Sequence, residues 1–181
     1  DHGAVMSDLQ RHLGPKPYLL ADHIYAGYNQ RMTDMQGALG NIQMDRAAAI
    51  IEERRGIAAE FEEAFDDLEW LRTPTAPEGY GHGYQSYPCM FRPDDLSLSH
   101  LKEVNSARNV WMEALQQVGI STRPATHAVH MLSYYKNKYD IHPTDFPNAY
   151  IANDCSISLP LFHGMSEAEQ GYVIDTVIKS F

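Results

Sequence analysis

Polar residues suited to binding an anion are concentrated between Gly27 and Gln36. Asn29 supplies an amide and Arg31 a planar guanidinium, which binds phosphates and carboxylates through paired hydrogen bonds. Thr33 and Gln36 form a capping box, which predicts the start of a helix, where backbone N–H groups also attract anions. The segment therefore predicts a site for a phosphate or carboxylate. The alternative is that Asn29 and Arg31 only close a turn and pair with an acidic residue of the helix.

Two histidines three residues apart, His127 and His130, form a second candidate site. On a helix this spacing would place both imidazoles on one face and suggest zinc. No cysteine or carboxylate with metal-site spacing accompanies them, and Thr122-Arg123-Pro124 before them indicates a loop. We therefore predict no metal site. One interpretation of His130 is a loop histidine bonded to the backbone.

Aromatic and basic residues elsewhere have alternative interpretations. Arg54-Arg55 indicates a solvated helix face that pairs with nearby glutamates. Tyrosines near the two candidate sites could stack on a sugar or base, or could cover the edge of a core. These are Tyr25, Tyr28, Tyr134 and Tyr135.

The helix that begins at Thr33 is expected to continue, with apolar residues at helical spacing, to about Leu68. One straight helix of that length would reach about 54 Å, which is longer than a small domain is wide. Glycine weakens a helix, so we expect a break at Gly40-Asn41 or Gly56 and hence two helices.

The remaining sequence alternates between strand and helix patterns. Pro88 in the first strand pattern indicates an edge strand or a bulge. Gly119 ends the helix expected at 99–118, and Ser166 with Glu169 forms a capping box for the last helix. The expected elements are a strand at 84–91, a helix at 99–118, a short strand at 120–123, helical turns at 146–153, a strand at 155–161 and a final helix from 166. This order predicts an α+β fold with a short sheet covered by helices on one face.

Composition limits the classes of partner. The chain has 181 residues, 44% of them apolar, and 14 basic against 24 acidic residues give a net charge of −10. This charge argues against nucleic acid and anionic membranes as partners. No apolar run approaches the roughly 20 residues that span a bilayer. The two cysteines, Cys89 and Cys155, lie among apolar residues and favour buried thiols, so we expect a cytoplasmic protein.

The segment Gly27–Gly40 resembles a motif of the DegT/StrS-type nucleotide-sugar aminotransferases, which depend on pyridoxal 5'-phosphate (PLP). The resemblance covers nearly the whole chain, in family order. It continues at Gln43-Met44, Arg54-Arg55, Ile57, Gly119-Ile120-Ser121-Thr122-Arg123-Pro124, His130, Tyr135, Pro147-Asn148-Ala149 and Ser158-Leu159-Pro160-Leu161.

The resemblance implies the C-terminal part of a fold-type-I PLP aminotransferase. The expected division is residues 1–45 as the tail of the large cofactor domain, with an active-site loop and helix, and 46–181 as the small domain with its long entering helix. None of the five lysines has the surroundings of the family's Schiff-base lysine. We therefore assign no catalytic residue and expect the chain to be inactive alone.

Site roles follow from the same resemblance. The asparagine that matches Asn29 reaches the cofactor phosphate of the partner subunit, which implies a homodimer with shared active sites, and Arg31 adds positive potential there. His130 matches a histidine at the mouth of the active site, so substrate contact is expected for His130, and His127 and Tyr28 join it as candidates. Thr126-His127-Ala128 departs from the aromatic-proline pair of many members, so the sugar is not specified.

The implied reaction is transfer of an amino group, from glutamate, to a keto-sugar carried by a nucleoside diphosphate, as in amino-sugar biosynthesis. Two alternatives stay open. One is a dehydratase of the same fold and cofactor, in which histidine replaces the lysine. The other is a binding or interaction module without catalysis.

Overall fold

The structure is a computed structural model that describes residues 30–181. The chain divides into two compact units, the first ending at Arg46 and the second spanning Ala47–Phe181. The assignment of residues 1–45 and 46–181 to a cofactor domain and a small domain remains a prediction.

A single helix, α1, runs over Asp34–Phe65 and has 32 residues. The expected break into two helices is therefore wrong. Gly40 and Gly56 both lie inside α1, and a side-chain carbon built on either would meet nothing within 4 Å. Each glycine costs only about 1 kcal/mol relative to alanine, and α1 contains no proline to interrupt its hydrogen bonds.

Three antiparallel strands form the sheet in the order β1–β2–β3, with β1 at Leu71–Arg72, β2 at Tyr87–Phe91 and β3 at Ser156–Leu159. Pro88 pairs with Ser158 in the central strand, although proline indicated an edge strand or bulge. The reason is that β1 pairs only with Met90 and Phe91, so β1 does not reach the level of Pro88.

Three of the other four helices lie where the sequence predicts them, with boundaries shifted by a few residues, and the helix at 133–139 is not predicted. The four helices are α2 at Leu101–Gln117, α3 at Ser133–Tyr139, α4 at Pro147–Cys155 and α5 at Glu167–Ile178. Gly119 follows α2 with φ +85°, a conformation that glycine adopts without strain. The predicted strand at 120–123 is reduced to one bridge between Arg123 and Ser158. Short 3₁₀ turns lie at Val129–Met131 and Pro143–Asp145.

The core of the second unit is built on aromatic side chains from α1, β2 and α2. Phe61 of α1 contacts Tyr87 of β2 edge to face, with ring centroids 5.2 Å apart. Phe91 stacks on Trp111 of α2 at 5.5 Å. Tyr87, Cys89 and Phe91 are buried while Pro88 and Met90 are half-buried, as expected for a strand with one face on the core. The α+β prediction, with helices and a short sheet, is confirmed.

The basic pair on α1 binds the segment before β2, while Arg55 stays exposed as predicted. Arg55 lies 3.9 Å from Glu52, as expected. Arg54, however, donates from Nη1 to the carbonyls of Tyr84 and Gln85 at 2.7 and 3.1 Å. The Tyr84 hydroxyl donates to Glu62 Oε1 at 2.6 Å, and burial together with this bond raises the pKa of Tyr84 to about 12. These contacts attach the segment before β2 to α1.

Both cysteines are buried and unbonded to each other. Among residues 30–181, no helix has the length and apolar character needed to cross a bilayer.

Candidate functional site

The capping box predicted at the start of α1 is confirmed. Thr33 N–H donates to Gln36 Oε1 at 3.0 Å, and Gln36 N–H donates to Thr33 Oγ1 at 3.3 Å. Arg31, two residues before the cap, is exposed. Tyr28 and Asn29 lie outside the described residues. The anion-binding role of Asn29 and Arg31 therefore stays a prediction.

The loop after α2 begins where Arg123 bridges β3. Ser158 N–H donates to the Arg123 carbonyl at 2.7 Å, and Arg123 N–H donates back to the Ser158 carbonyl at 3.4 Å. From this bridge, residues 123–146 run through the two histidines and α3 to the start of α4. We call residues 123–146 the histidine loop.

Two polar side chains from the α4–β3 junction hold the first part of the histidine loop. Ser156 Oγ accepts the Ala125 N–H at 3.2 Å. Asn153 Oδ1 accepts the Ala128 N–H at 2.9 Å. The two bonds lie on either side of His127 in the sequence.

The two histidines have different surroundings. His127 is exposed and lies outside regular secondary structure, while His130 is buried in the 3₁₀ turn and its Nε2 lies 3.0 Å from the Pro143 carbonyl. Because a carbonyl only accepts, Nε2 carries the proton, and in a neutral ring Nδ1 remains as an acceptor. The bond to backbone is the one expected of a loop histidine. This bond does not test contact with a substrate, so the substrate contacts of His127 and His130 remain predictions.

Within residues 30–181, no group of three metal-binding side chains is close enough to hold an ion. His127 precedes the turn that contains His130, so the two rings do not share a helical face. The geometry that would have suggested zinc is therefore not formed.

The exposed helix α3 continues the histidine loop with tyrosines and lysines. Lys138 Nζ lies 5.3 Å from the ring centres of both Tyr134 and Tyr139 and bonds to the Tyr134 hydroxyl at 3.2 Å. Tyr134 is 64% exposed and Tyr135 39% exposed. One of the two interpretations of these tyrosines is that they stack on a sugar or base. Such stacking requires exposed rings, as Tyr134 has.

The sequence prediction assigned no role to the residues that hold the histidine loop. The pattern at 146–153 predicts only helical turns for Asn153, and the alternation of the strand pattern at 155–161 places Ser156 on the polar side of the strand. Ser156 is instead 3% exposed, since it faces the loop. The polar pair Asn153-Asp154 beside an apolar strand does not identify the residues to which it bonds.

Comparison with known proteins identifies the family. The profile of the DegT/DnrJ/EryC1/StrS aminotransferase family matches residues 2–178. The spore coat polysaccharide biosynthesis protein SpsC of Bacillus subtilis is 30% identical over 152 residues, which cover 83% of this chain and 37% of SpsC. An uncharacterized protein of Methanocaldococcus jannaschii, MJ1066, is 30% identical over 156 residues, covering 86% of this chain and 38% of MJ1066.

Solved structures share the fold. PseC of Helicobacter pylori, an aminotransferase involved in the biosynthesis of pseudoaminic acid, matches with a TM-score of 0.72 at 17% identity, over 100% of this chain and 43% of PseC. The PLP form of Spr1654 from Streptococcus pneumoniae matches with a TM-score of 0.73 at 23% identity, over 99% and 40% of the two chains. The chain thus spans about 40% of the length of the proteins it matches, consistent with a C-terminal part.

Proposed function

We propose a function for this chain as a member of the DegT/DnrJ/EryC1/StrS aminotransferase family, to which it belongs because the family profile matches residues 2–178. The proposal is that it forms the C-terminal part of a PLP-dependent enzyme that transfers an amino group from glutamate to a keto-sugar on a nucleoside diphosphate. The match over nearly the whole chain carries this proposal.

The lysines support a division of labour between this chain and further polypeptide. Lys102, Lys136, Lys138 and Lys179, the lysines of residues 30–181, are all exposed, whereas a lysine that holds a cofactor covalently needs an enclosed site. Lys16 lies outside the described residues, and its sequence surroundings do not resemble those of the family's Schiff-base lysine. We propose that the cofactor-bearing lysine belongs to residues outside this chain and that the chain does not catalyse alone.

The residues at the start of α1 fit an anionic cofactor end. Arg31 is exposed beside a capped helix, and a guanidinium presents its N–H donors in a planar fork that matches the geometry of a phosphate. We propose that Asn29 and Arg31 bind the PLP phosphate of a second subunit, in a homodimer with shared active sites. When bound, PLP supplies the electron sink for amine transfer. This chain supplies hydrogen-bond donors and positive charge.

The histidine loop is the proposed substrate contact. His127 is exposed, and His130 is fixed by its bond to Pro143 so that Nδ1 is its remaining acceptor. We propose that these rings, with Tyr28, bind and orient the sugar hydroxyls of the nucleotide-sugar. A cytoplasmic location is proposed because Cys89 and Cys155 are free, buried thiols, as expected in a reducing compartment.

The test is to express this chain alone and together with the polypeptide that precedes it in the proposed parent protein. We expect the longer protein to retain PLP and to move ¹⁵N from glutamate into UDP- or dTDP-linked keto-hexoses, and the chain alone to do neither. A longer protein that eliminates water from the sugar without gaining nitrogen would instead be the dehydratase. One that binds no PLP would overturn the proposal in favour of a binding module.

A further inference from the structure

We propose that Asn153 and Ser156 are positioning residues that hold the histidine loop in the shape needed for the nucleotide-sugar. The inference rests on the proposed function for its substrate. Its structural part rests on contacts of the described residues alone. Neither side chain is placed at the substrate, so each would act through His127 and His130.

The two hydrogen bonds define the path of the loop backbone. Ser156 Oγ holds the Ala125 N–H and Asn153 Oδ1 holds the Ala128 N–H, at 3.2 and 2.9 Å. Two residues, Thr126 and His127, lie between the anchored residues Ala125 and Ala128. The exposed imidazole of His127 is thus attached to a backbone that is fixed on both sides.

The second anchor also determines where His130 lies. The Ala128 carbonyl accepts the Met131 N–H at 2.9 Å, which closes the 3₁₀ turn that carries His130. Ala128 is 3% exposed, so its N–H has little access to water if Asn153 does not accept it. Loss of the Asn153 bond is therefore expected to shift the turn and both histidines.

The orientation of the Asn153 amide is set by its neighbour. Asn153 Nδ2 donates to Asp154 Oδ1 at 2.7 Å, and a carboxylate oxygen only accepts. The amide nitrogen is thereby turned toward Asp154, and the oxygen is left to face the Ala128 N–H. The pair Asn153-Asp154 acts as one unit.

Helix α2 holds the junction from the other side. Asn105 Nδ2 donates to the Asp154 carbonyl at 2.7 Å, and Arg108 Nη1 donates to the Ser156 carbonyl at 2.7 Å. Arg108 is 5% exposed, so its position is fixed by packing as well as by this bond. A continuous set of hydrogen bonds therefore runs from α2 through the α4–β3 junction to the histidine loop.

The test of the Asn153 bond compares three variants of the protein, and Ser156→Ala tests the Ser156 bond. Asn153→Leu keeps a similar volume and removes the acceptor. The double change Asn153→Asp with Asp154→Asn exchanges the two groups at unchanged net charge. The carboxylate at position 153 then accepts the Ala128 N–H, and the amide at position 154 donates to that carboxylate. Asn148→Leu, an exposed asparagine of the same helix, is the matched control.

Amide hydrogen exchange of this chain provides a readout that does not depend on catalysis. We expect Asn153→Leu to speed exchange at 124–132 by at least about tenfold, the double variant to restore protection, and Asn148→Leu to leave it unchanged. Peptides of α2 serve as the control for an intact fold. Ser156→Ala should speed amide exchange at residues 124–126. Unchanged exchange in Asn153→Leu would overturn the positioning role, whatever the protein's reaction.

The half-reactions of the longer PLP-containing protein test the link to substrate. We expect Asn153→Leu to raise the KM for the keto-sugar nucleotide about tenfold and to leave amine uptake from glutamate within about twofold. Equal losses in both halves would indicate a general structural role and refute the inference. A wild-type protein inactive in both halves would refute the proposed function, while the exchange result would still decide whether the two side chains hold the loop.

Discussion

Glu53 of α1 and His163, between β3 and α5, are joined by a short contact: Glu53 Oε2 lies 2.5 Å from His163 Nδ1. The other carboxylate oxygen accepts the Gly164 N–H at 2.5 Å. This backbone bond, with help from His163 and Arg54, lowers the pKa of the Glu53 carboxyl below its ordinary 4.5. The contact connects residues far apart in the sequence within the second unit.

The first prediction concerns acid stability. Because the folded-state pKa of Glu53 is depressed, the unfolded state binds more protons in acid, so the stabilisation is present above about pH 4.5 and is lost as pH falls through the folded value. Urea unfolding at several pH values should show that Glu53→Gln weakens this dependence. Glu60→Gln, an exposed carboxylate of the same helix, is the control. An identical slope in wild type and Glu53→Gln would contradict the prediction.

The second prediction concerns the cap of α5. Ser166 Oγ accepts the Glu169 N–H at 3.3 Å, and Glu169 Oε2 accepts the Ser166 N–H at 2.8 Å. Since α5 packs on the core through Val173 and Val177, loss of the cap should lower the stability of the whole second unit. We expect Ser166→Ala to lower the free energy of unfolding by about 0.5–2 kcal/mol.

Glu169→Gln is the matched variant for the cap, because glutamine keeps an acceptor for the Ser166 N–H. It should cost less than Ser166→Ala in the same chemical-denaturation experiment. If both variants unfold like wild type, the capping box does not contribute to stability.

The third prediction concerns thiol chemistry. Burial raises the pKa of Cys155 to about 11 and that of Cys89 further still. Since the thiolate is the reactive form, neither should react with a disulfide reagent at pH 8 until the chain unfolds. Ala114→Cys, at an exposed position of α2, provides a reactive reference. Rapid labelling of two thiols in the native wild type would show that the core is open.

The fourth prediction concerns the first half of α1. Met35, Leu39 and Ile42 recur at helical spacing and are 83%, 61% and 59% exposed. Exposed apolar stripes of this kind are typical of surfaces that bind other polypeptide. We expect sedimentation to show self-association of the chain that decreases when all three become glutamine. Val110→Gln, at an exposed position of α2, should have little effect. A stable wild-type monomer at high concentration would oppose the prediction.

Local pattern was sufficient for much of the fold. Capping boxes at Thr33 and Ser166 and the glycine stop at Gly119 were predicted from sequence and are formed, because each depends on residues within a few positions of one another. The continuity of α1 was not predicted, since a glycine only lowers helix stability and flanking residues can compensate. Pro88 predicted an edge strand or a bulge but lies in the central strand. Whether proline is tolerated there depends on how far the neighbouring strand extends, which the local sequence does not specify.

The candidate site divides in the same way. The residue types and order of this chain, by themselves, determined its family, its α+β class and the candidate residues Arg31, His127 and His130. Only the tertiary structure showed that Asn153 and Ser156 hold the backbone beside those histidines and that Arg108 supports them. The physical reason is that a hydrogen bond between residues 25 or more positions apart leaves no periodic or local signal; it exists only once packing brings donor and acceptor within 3 Å or so of each other.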